Sequence, residues 1–183
     1  IEVIDLIADK QVLVTLTEQN YIKRVPLDVY RQQKRGGRGV TGMATKEEDV
    51  VDKVFMASTH DYLLCFTNKG RAYWLRVYDI PEGSRTAKGK AIVNLLNLTD
   101  EDVSAVIPLR SFDSDKYFLY ATKSGRIGKF SQDLFSRPRA GGIIGMTLLD
   151  GDELVDVVMT DGKSDVVLTT AYGQSLRFSE EEV

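Results

Sequence analysis

Gln33-Lys34-Arg35-Gly36-Gly37-Arg38-Gly39 packs three cations between three glycines. Glycine lets the backbone approach a ligand closely and leaves amide N–H groups open. Lys and Arg neutralise phosphates, and Arg can do so with two hydrogen bonds at once. Together they suit a sequence-independent grip on a nucleic-acid backbone. Two related loops follow, Ser84-Arg85-Thr86-Ala87-Lys88-Gly89-Lys90 and Ser136-Arg137-Pro138-Arg139-Ala140-Gly141-Gly142. The candidate binding residues are Gln33, Lys34, Arg35, Gly36, Gly37, Arg38 and Gly39, joined by Arg85, Lys88, Lys90, Arg137 and Arg139. One such heptapeptide alone also reads as a solvated loop; its recurrence weakens that reading. Arg71, Arg76, Arg126 and Lys129 sit on or beside strands, where solvated charge is the commoner explanation.

Other chemistry is weaker. Gly37-Arg-Gly-Val-Thr-Gly42 matches a dinucleotide fingerprint, but no buried strand precedes it. Gly83–Ala91 resembles a phosphate-binding P-loop with one residue too many and Ala91 where a magnesium-binding hydroxyl is needed. His60 and Cys65 lie five residues apart on one strand reading, so they point to opposite faces; a turn histidine and a core thiol are the expected roles. Asp113, Asp115 and Glu180–Glu182 lack a calcium-loop spacing and read as solvated turns. Tyr73, Trp74, Tyr117, Phe118 and Tyr120 alternate with the strand pattern and read as packing rather than base-stacking. No catalytic residue, metal site or cofactor is expected.

The elements that must carry these loops repeat. Thr17-Glu-Gln-Asn20, Thr67-Asn-Lys-Gly70, Thr122-Lys-Ser-Gly125 and Thr170-Ala-Tyr-Gly173 recur at spacings of 50, 55 and 48 residues. An apolar run precedes each Thr: Val12–Leu16, Tyr62–Phe66, Tyr117–Ala121 and Val166–Thr169. A run, a short Gly or Asn turn and a second run make a hairpin, with a positive φ expected at Asn20, Gly70, Gly125 and Gly173. Another short run lies 16 to 19 residues ahead of each Thr: Val51–Phe55, Val103–Ile107 and Leu154–Val158, with Ile1–Ile4 where the first would fall. Lys46–Phe55 could pass as a helix alone, but its equivalents favour strand. A strand-rich period near 50 residues reads as propeller blades. The expected organisation is one all-β domain with approximate repeats at 1–50, 51–102, 103–153 and 154–183. The last repeat stops after its hairpin, and open sheet edges are avoided, so further repeats are expected.

The 183 residues carry a net charge of −3, but distribution matters more than the sum. Between Lys23 and Lys46 stand Lys23, Arg24, Arg31, Lys34, Arg35, Arg38 and Lys46 against Asp28 alone, a net +6. Cys65, the single cysteine, excludes an internal disulfide and fits a reducing cytoplasm. No membrane-length apolar run or secretion signal is present, and the missing initiator Met reads as a piece of a longer chain.

Gln33–Gly39 resembles the gyrase-A box of the C-terminal domain of the bacterial DNA gyrase A subunit. Thr67–Leu75, Ala87–Leu96 and Phe135–Ile143 are similar to that family too. The resemblance covers essentially the whole chain. It implies a β-pinwheel, a propeller-like disc whose neighbouring blades exchange strands. It implies a domain that wraps double-stranded DNA around a basic rim, directing negative supercoiling by a type II topoisomerase. The box residues would clamp the wrapped DNA. The cleaving tyrosine and the ATP site would lie outside this chain, in a heterotetramer with the gyrase A breakage-reunion domain and gyrase B. The family has five or six blades, and this chain has fewer than four. The rival expectations are the C-terminal domain of the topoisomerase IV counterpart of gyrase A, whose box is degraded or missing, and a protein-binding propeller, for which no WD or Gly-His signature is present.

Overall fold

The computed structural model describes residues 1–28 and 49–183. Four hairpins recur: β1 (Gln11–Thr17) with β2 (Tyr21–Pro26), β4 (Tyr62–Thr67) with β5 (Arg71–Arg76), β8 (Tyr117–Thr122) with β9 (Ile127–Ser131), and β12 (Asp165–Thr169) with β13 (Ser175–Ser179). Between them lie β3 (Val51–Ser58), β6 (Lys90–Ala91), β7 (Val103–Leu109), β10 (Ile143–Ile144) and β11 (Leu154–Thr160). Short 3-10 turns, Val77–Asp79, Gln132–Phe135 and Glu180–Glu182, follow the last three hairpins. The repeated Thr has a local cause. Its carbonyl accepts from the residue three positions on, Asn20, Gly70, Gly125 or Gly173, at 2.9–3.0 Å. Its hydroxyl accepts the amide four positions on, from Tyr21, Arg71, Arg126 and Gln174 at 3.1–3.2 Å. Asn20 and the three glycines take the expected positive φ, 63° to 86°.

The sheets do not coincide with the sequence repeats. Their strand orders are β3-β1-β2-β6, β7-β4-β5-β10, β11-β8-β9 and β12-β13. The strand that opens each repeat pairs with the hairpin before it: β3 with β1, β7 with β4 and β11 with β8. The two-residue strand that closes each basic loop also goes back one blade, β6 to β2 and β10 to β5. This is the strand exchange of a pinwheel. Ile1–Ile4, expected as an opening strand, instead enters the 3-10 turn Val3–Leu6, where Asp5 N donates to Glu2 O at 3.0 Å and Ile7 N to Ile4 O at 3.1 Å.

β3, β7 and β11 line one shared cleft of about 530 Å³, which marks the axis. The first three sheets therefore run outward from that strand, and β6 and β10 are the outermost strands of the first two. The hairpins pack face to face between blades. Val14, Leu16, Ile22, Leu63, Cys65, Tyr73 and Leu75 form one buried cluster. Phe66, Phe118 and Phe135 form the centre of the next, three edge-to-face rings with centroids 5.4–5.6 Å apart. Such rings are worth more than their buried area alone. Burial pushes the Cys65 thiol up to about 12, as fits a core residue.

In each of the first three blades the residue at one equivalent position donates to the next blade. Arg24 Nε donates to Ile80 O at 2.7 Å, Trp74 Nε1 to Phe135 O at 2.9 Å and Lys129 Nζ to Glu180 O at 2.7 Å. All three donors stand seven residues after the repeated Thr, and all three acceptors lie in or beside the following 3-10 turn. Glu180 departs from the solvated turn expected for it. It is fully buried, and its carboxylate accepts from Ser164 N at 2.7 Å.

Candidate nucleic-acid interface

The outer edge is built from β2 and β5, each completed by the strand from the following repeat. Ile22 faces Lys90 and Tyr21 faces Ala91; Ala72 faces Ile143 and Arg71 faces Ile144. This short pairing brings Ser84–Lys90 onto the edge of the first sheet and Ser136–Gly142 onto that of the second. A positive-φ glycine makes each approach possible. Gly89 has φ +88°, and a Cβ there would stand 2.5 Å from Ile22 O. Gly142 has φ +69°, and a Cβ there would stand 2.7 Å from the Tyr73 ring.

The two loops rest on different side chains. Lys23, only 1% exposed, sends Nζ into the second-repeat loop. It donates to Ser84 O, Arg85 O and Ala87 O at 2.8, 2.8 and 2.9 Å. Burial lowers its pKa, since desolvation disfavours an ammonium. Tyr73 takes the equivalent position beneath the third-repeat loop. Its hydroxyl donates to Glu101 Oε1 at 3.0 Å and accepts from Arg71 Nε at 3.1 Å. Burial is the main cause of its raised pKa. Arg71 NH2 then donates to Gly141 O at 2.8 Å, and Asn97 Nδ2 to Ala140 O at 3.2 Å.

The candidate cations divide accordingly. Lys90, Arg137 and Arg139 are exposed and Arg85 is half-buried. Each of these four lacks an ion pair with any described carboxylate. Lys88 lies over the Tyr21 ring at 3.6 Å. Four other cations have internal roles. Arg71 holds its loop. Arg76 stacks on Tyr62 at 3.6 Å. Lys129 and Arg24 are inter-blade donors, and Arg24 also pairs with Glu82 at 3.2 Å. Arg126 is exposed. The basic stretch read from Lys23 to Lys46 therefore contains two residues, Lys23 and Arg24, that serve the fold. Gln33, Lys34, Arg35, Gly36, Gly37, Arg38 and Gly39 lie outside the described residues.

Acids serve hairpin tips. Asp49 accepts from Gln19 N at 3.2 Å and Asp102 from Asn20 Nδ2 at 3.3 Å. Asp152 accepts from Ser124 N at 2.9 Å and Ser124 Oγ at 2.6 Å. The Ser124 hydroxyl is the main cause that holds its carboxyl down at about 2.

The sequence profile described as "DNA gyrase C-terminal domain, beta-propeller" matches residues 11–58, 61–110 and 116–161. The chain belongs to the DNA gyrase C-terminal domain family. It is 44% identical over its whole length to the DNA gyrase A protein of Haemophilus influenzae and 45% identical to that of Salmonella typhimurium, spanning 21% of each. The chain thus covers about a fifth of the curated relatives it matches. Among solved structures, one described as the DNA gyrase A C-terminal domain aligns over 95% of this chain and 56% of its own, with 26% identity and a TM-score of 0.73. The C-terminal domain of DNA topoisomerase IV aligns over 97% of this chain and 54% of its own, with 31% identity and a TM-score of 0.76.

In this gyrase C-terminal domain the β-pinwheel read from the sequence stands. His60 and Cys65 are a turn residue and a core thiol. His60 Nε2 lies 2.6 Å from Ile7 O, and Cys65 is fully buried. Among the described residues, no group of three or more His, Cys, Asp or Glu side chains is arranged to hold a metal ion, and no helix is long and apolar enough to cross a membrane.

Proposed function

We propose that this domain binds double-stranded DNA along its outer edge and bends it around the disc. It serves as a non-catalytic part of a type II topoisomerase. One observation carries the reading: successive sheets present equivalent Gly-Lys/Arg loops on their outermost strands. Arg85, Lys88 and Lys90 stand on the first, Arg137 and Arg139 on the second. Gln33–Gly39 joins them on sequence alone, as the loop richest in cations and glycines. Phosphate contacts repeated along an edge offset the elastic cost of bending DNA, a few kcal/mol for a bend of ~40–90°. The wrapped segment would be handed to a breakage-reunion domain and an ATP-hydrolysing partner protein outside this chain, biasing strand passage toward negative supercoils. A cofactor in this domain has no role in that scheme.

Phosphate contacts carry no base information, so binding has little sequence preference and a steep salt dependence. The log–log slope is about −0.9 for each phosphate neutralised. Affinity for linear duplexes of unrelated sequence, measured from low to physiological salt, tests this. A flat salt dependence refutes it and favours a protein-binding disc. The likeness to the topoisomerase IV domain favours a second reading, decatenation rather than supercoiling. The intact Gln33–Gly39 stands against it, and a supercoiling assay of the complete enzyme separates the two.

A further inference from the structure

We propose that Arg137 and Arg139 share one groove with Leu134, and that this groove seats the sugar–phosphate backbone of a single DNA strand. The inference deepens the reading that this edge binds DNA, and rests on it.

The groove has a volume of about 530 Å³ and is lined by Asp133, Leu134, Ser136, Arg137, Arg139 and Ile143. Its residues come from the 3-10 turn Gln132–Phe135 and from the third-repeat loop as it enters β10. Both parts are held in place. Gln132 and Phe135 are buried. Gln132 N donates to Lys116 O and Trp74 Nε1 to Phe135 O, each at 2.9 Å. Gly142 N closes the loop by donating to Arg139 O at 2.9 Å. Pro138 disfavours a helical Arg137, so the turn stops short of the two arginines.

On this base stands Leu134, 64% exposed. An exposed leucine by itself means little; its neighbours give this one a meaning. Arg137 and Arg139 have no ion pair with any described carboxylate, and the Ser136 hydroxyl has no partner among the described residues. The groove therefore offers two guanidinium groups and a hydroxyl beside two apolar side chains, Leu134 and Ile143. A nucleic-acid backbone alternates in the same way, an anionic phosphate and then a sugar with an apolar face. Arginine binds the phosphate through paired N–H groups, and Leu134 covers the sugar. A free anion would use the arginines and leave Leu134 in water. Asp133, the one carboxylate in the lining, repels a phosphate there.

The test uses the intact protein that carries this chain and linear duplexes, with affinity read across a salt series. Leu134→Ser lowers affinity about fivefold, the scale of taking part of a leucine out of water. The salt slope stays unchanged, because an apolar contact releases no counterions, and thermal unfolding stays unchanged because the side chain is exposed. In an R137A/R139A background the loss from Leu134→Ser shrinks, since the arginines hold the strand against it. Asp133→Asn raises affinity about twofold at low salt. Leu6→Ser, which removes a leucine 78% exposed on the 3-10 turn Val3–Leu6, leaves affinity unchanged. Leu134→Ser without effect on affinity, or with a loss that Leu6→Ser matches, overturns the groove. So does an Asp133→Asn variant that binds no tighter. R137A/R139A without effect on affinity or slope overturns instead the reading that this loop meets DNA, and the groove with it.

Discussion

Ser84–Lys90 and Ser136–Gly142 occupy the same place on successive sheets and are held there by unlike chemistry. The first sits on a buried ammonium that binds three of its carbonyls. The second sits on a tyrosine ring, with Arg71 and Asn97 each taking one carbonyl and the Tyr73 hydroxyl bonded to the buried side chain of Glu101. Both return to the preceding blade through two residues of strand and a positive-φ glycine. The pairing and the glycine are common to both, so they define the edge. The support beneath is free to change, provided it leaves the cations outside.

The largest way to probe this comparison is to strip each loop of charge. Arg85, Lys88 and Lys90 to Ala together should make the salt dependence of duplex binding shallower by about 2.7, and Arg137 and Arg139 to Ala by about 1.8, at ~0.9 per contact. Near 0.1 M salt this is about tenfold in affinity per contact. Thermal unfolding should be unchanged in the second and only slightly lowered in the first, which loses the Lys88 contact with the Tyr21 ring, about 0.5–1 kcal/mol. A full effect from one loop and none from the other would break the equivalence.

Next come the glycines. Gly89→Ala and Gly142→Ala each impose a left-handed conformation on an L residue and drive a Cβ into backbone or ring. Each should cost at least about 2 kcal/mol in denaturant unfolding. Gly141→Ala, where a Cβ meets nothing within 4 Å, should cost close to nothing. Tyr73→Phe sharpens the contrast of supports. It removes the hydroxyl between Arg71 and Glu101 and should cost about 1–2 kcal/mol, loosening the third-repeat loop and leaving the second-repeat loop alone.

The smallest effect lies at the hairpin tips. The Asp152 carboxyl is held at about 2, below its ordinary 3.8, chiefly by the Ser124 hydroxyl. A depressed folded value means the ionised form stabilises the fold. That contribution is complete above about pH 4 and disappears as pH falls toward 2. Stability of wild type and Asp152→Asn should therefore converge across that window, read by thermal unfolding.

The hairpins were legible because their chemistry is local. A Thr that accepts the amide four residues on, and a Gly with positive φ, leave the same mark in every repeat. Strand exchange left no such mark: β3 opens the second repeat by period but pairs with β1 of the first, and only the family resemblance pointed to it. The equivalence of the loops that carry Arg85, Lys88, Lys90, Arg137 and Arg139 was readable from residue type and recurrence. Lys23 was not. In sequence it is one more cation of a basic stretch, and its three acceptors lie 61, 62 and 64 residues away. A Lys between Ile22 and the strand residues that follow was the one available sign, and a solvated face explains such a sign as well. Glu180 misled for the converse reason, since a run of three acids reads as solvent-facing while its first member closes a blade.

A duplex that follows the outer edge of the disc changes the linking number of a closed circle. The most direct measurement is the linking number of nicked circular DNA sealed by ligase in the presence of the protein. A shift in linking number that grows with protein added, and that is lost when Lys34, Arg35 and Arg38 are replaced by Ala without loss of thermal stability, is the expected result. Circles sealed with the same linking number as free DNA, at protein concentrations that saturate the duplex, would contradict it.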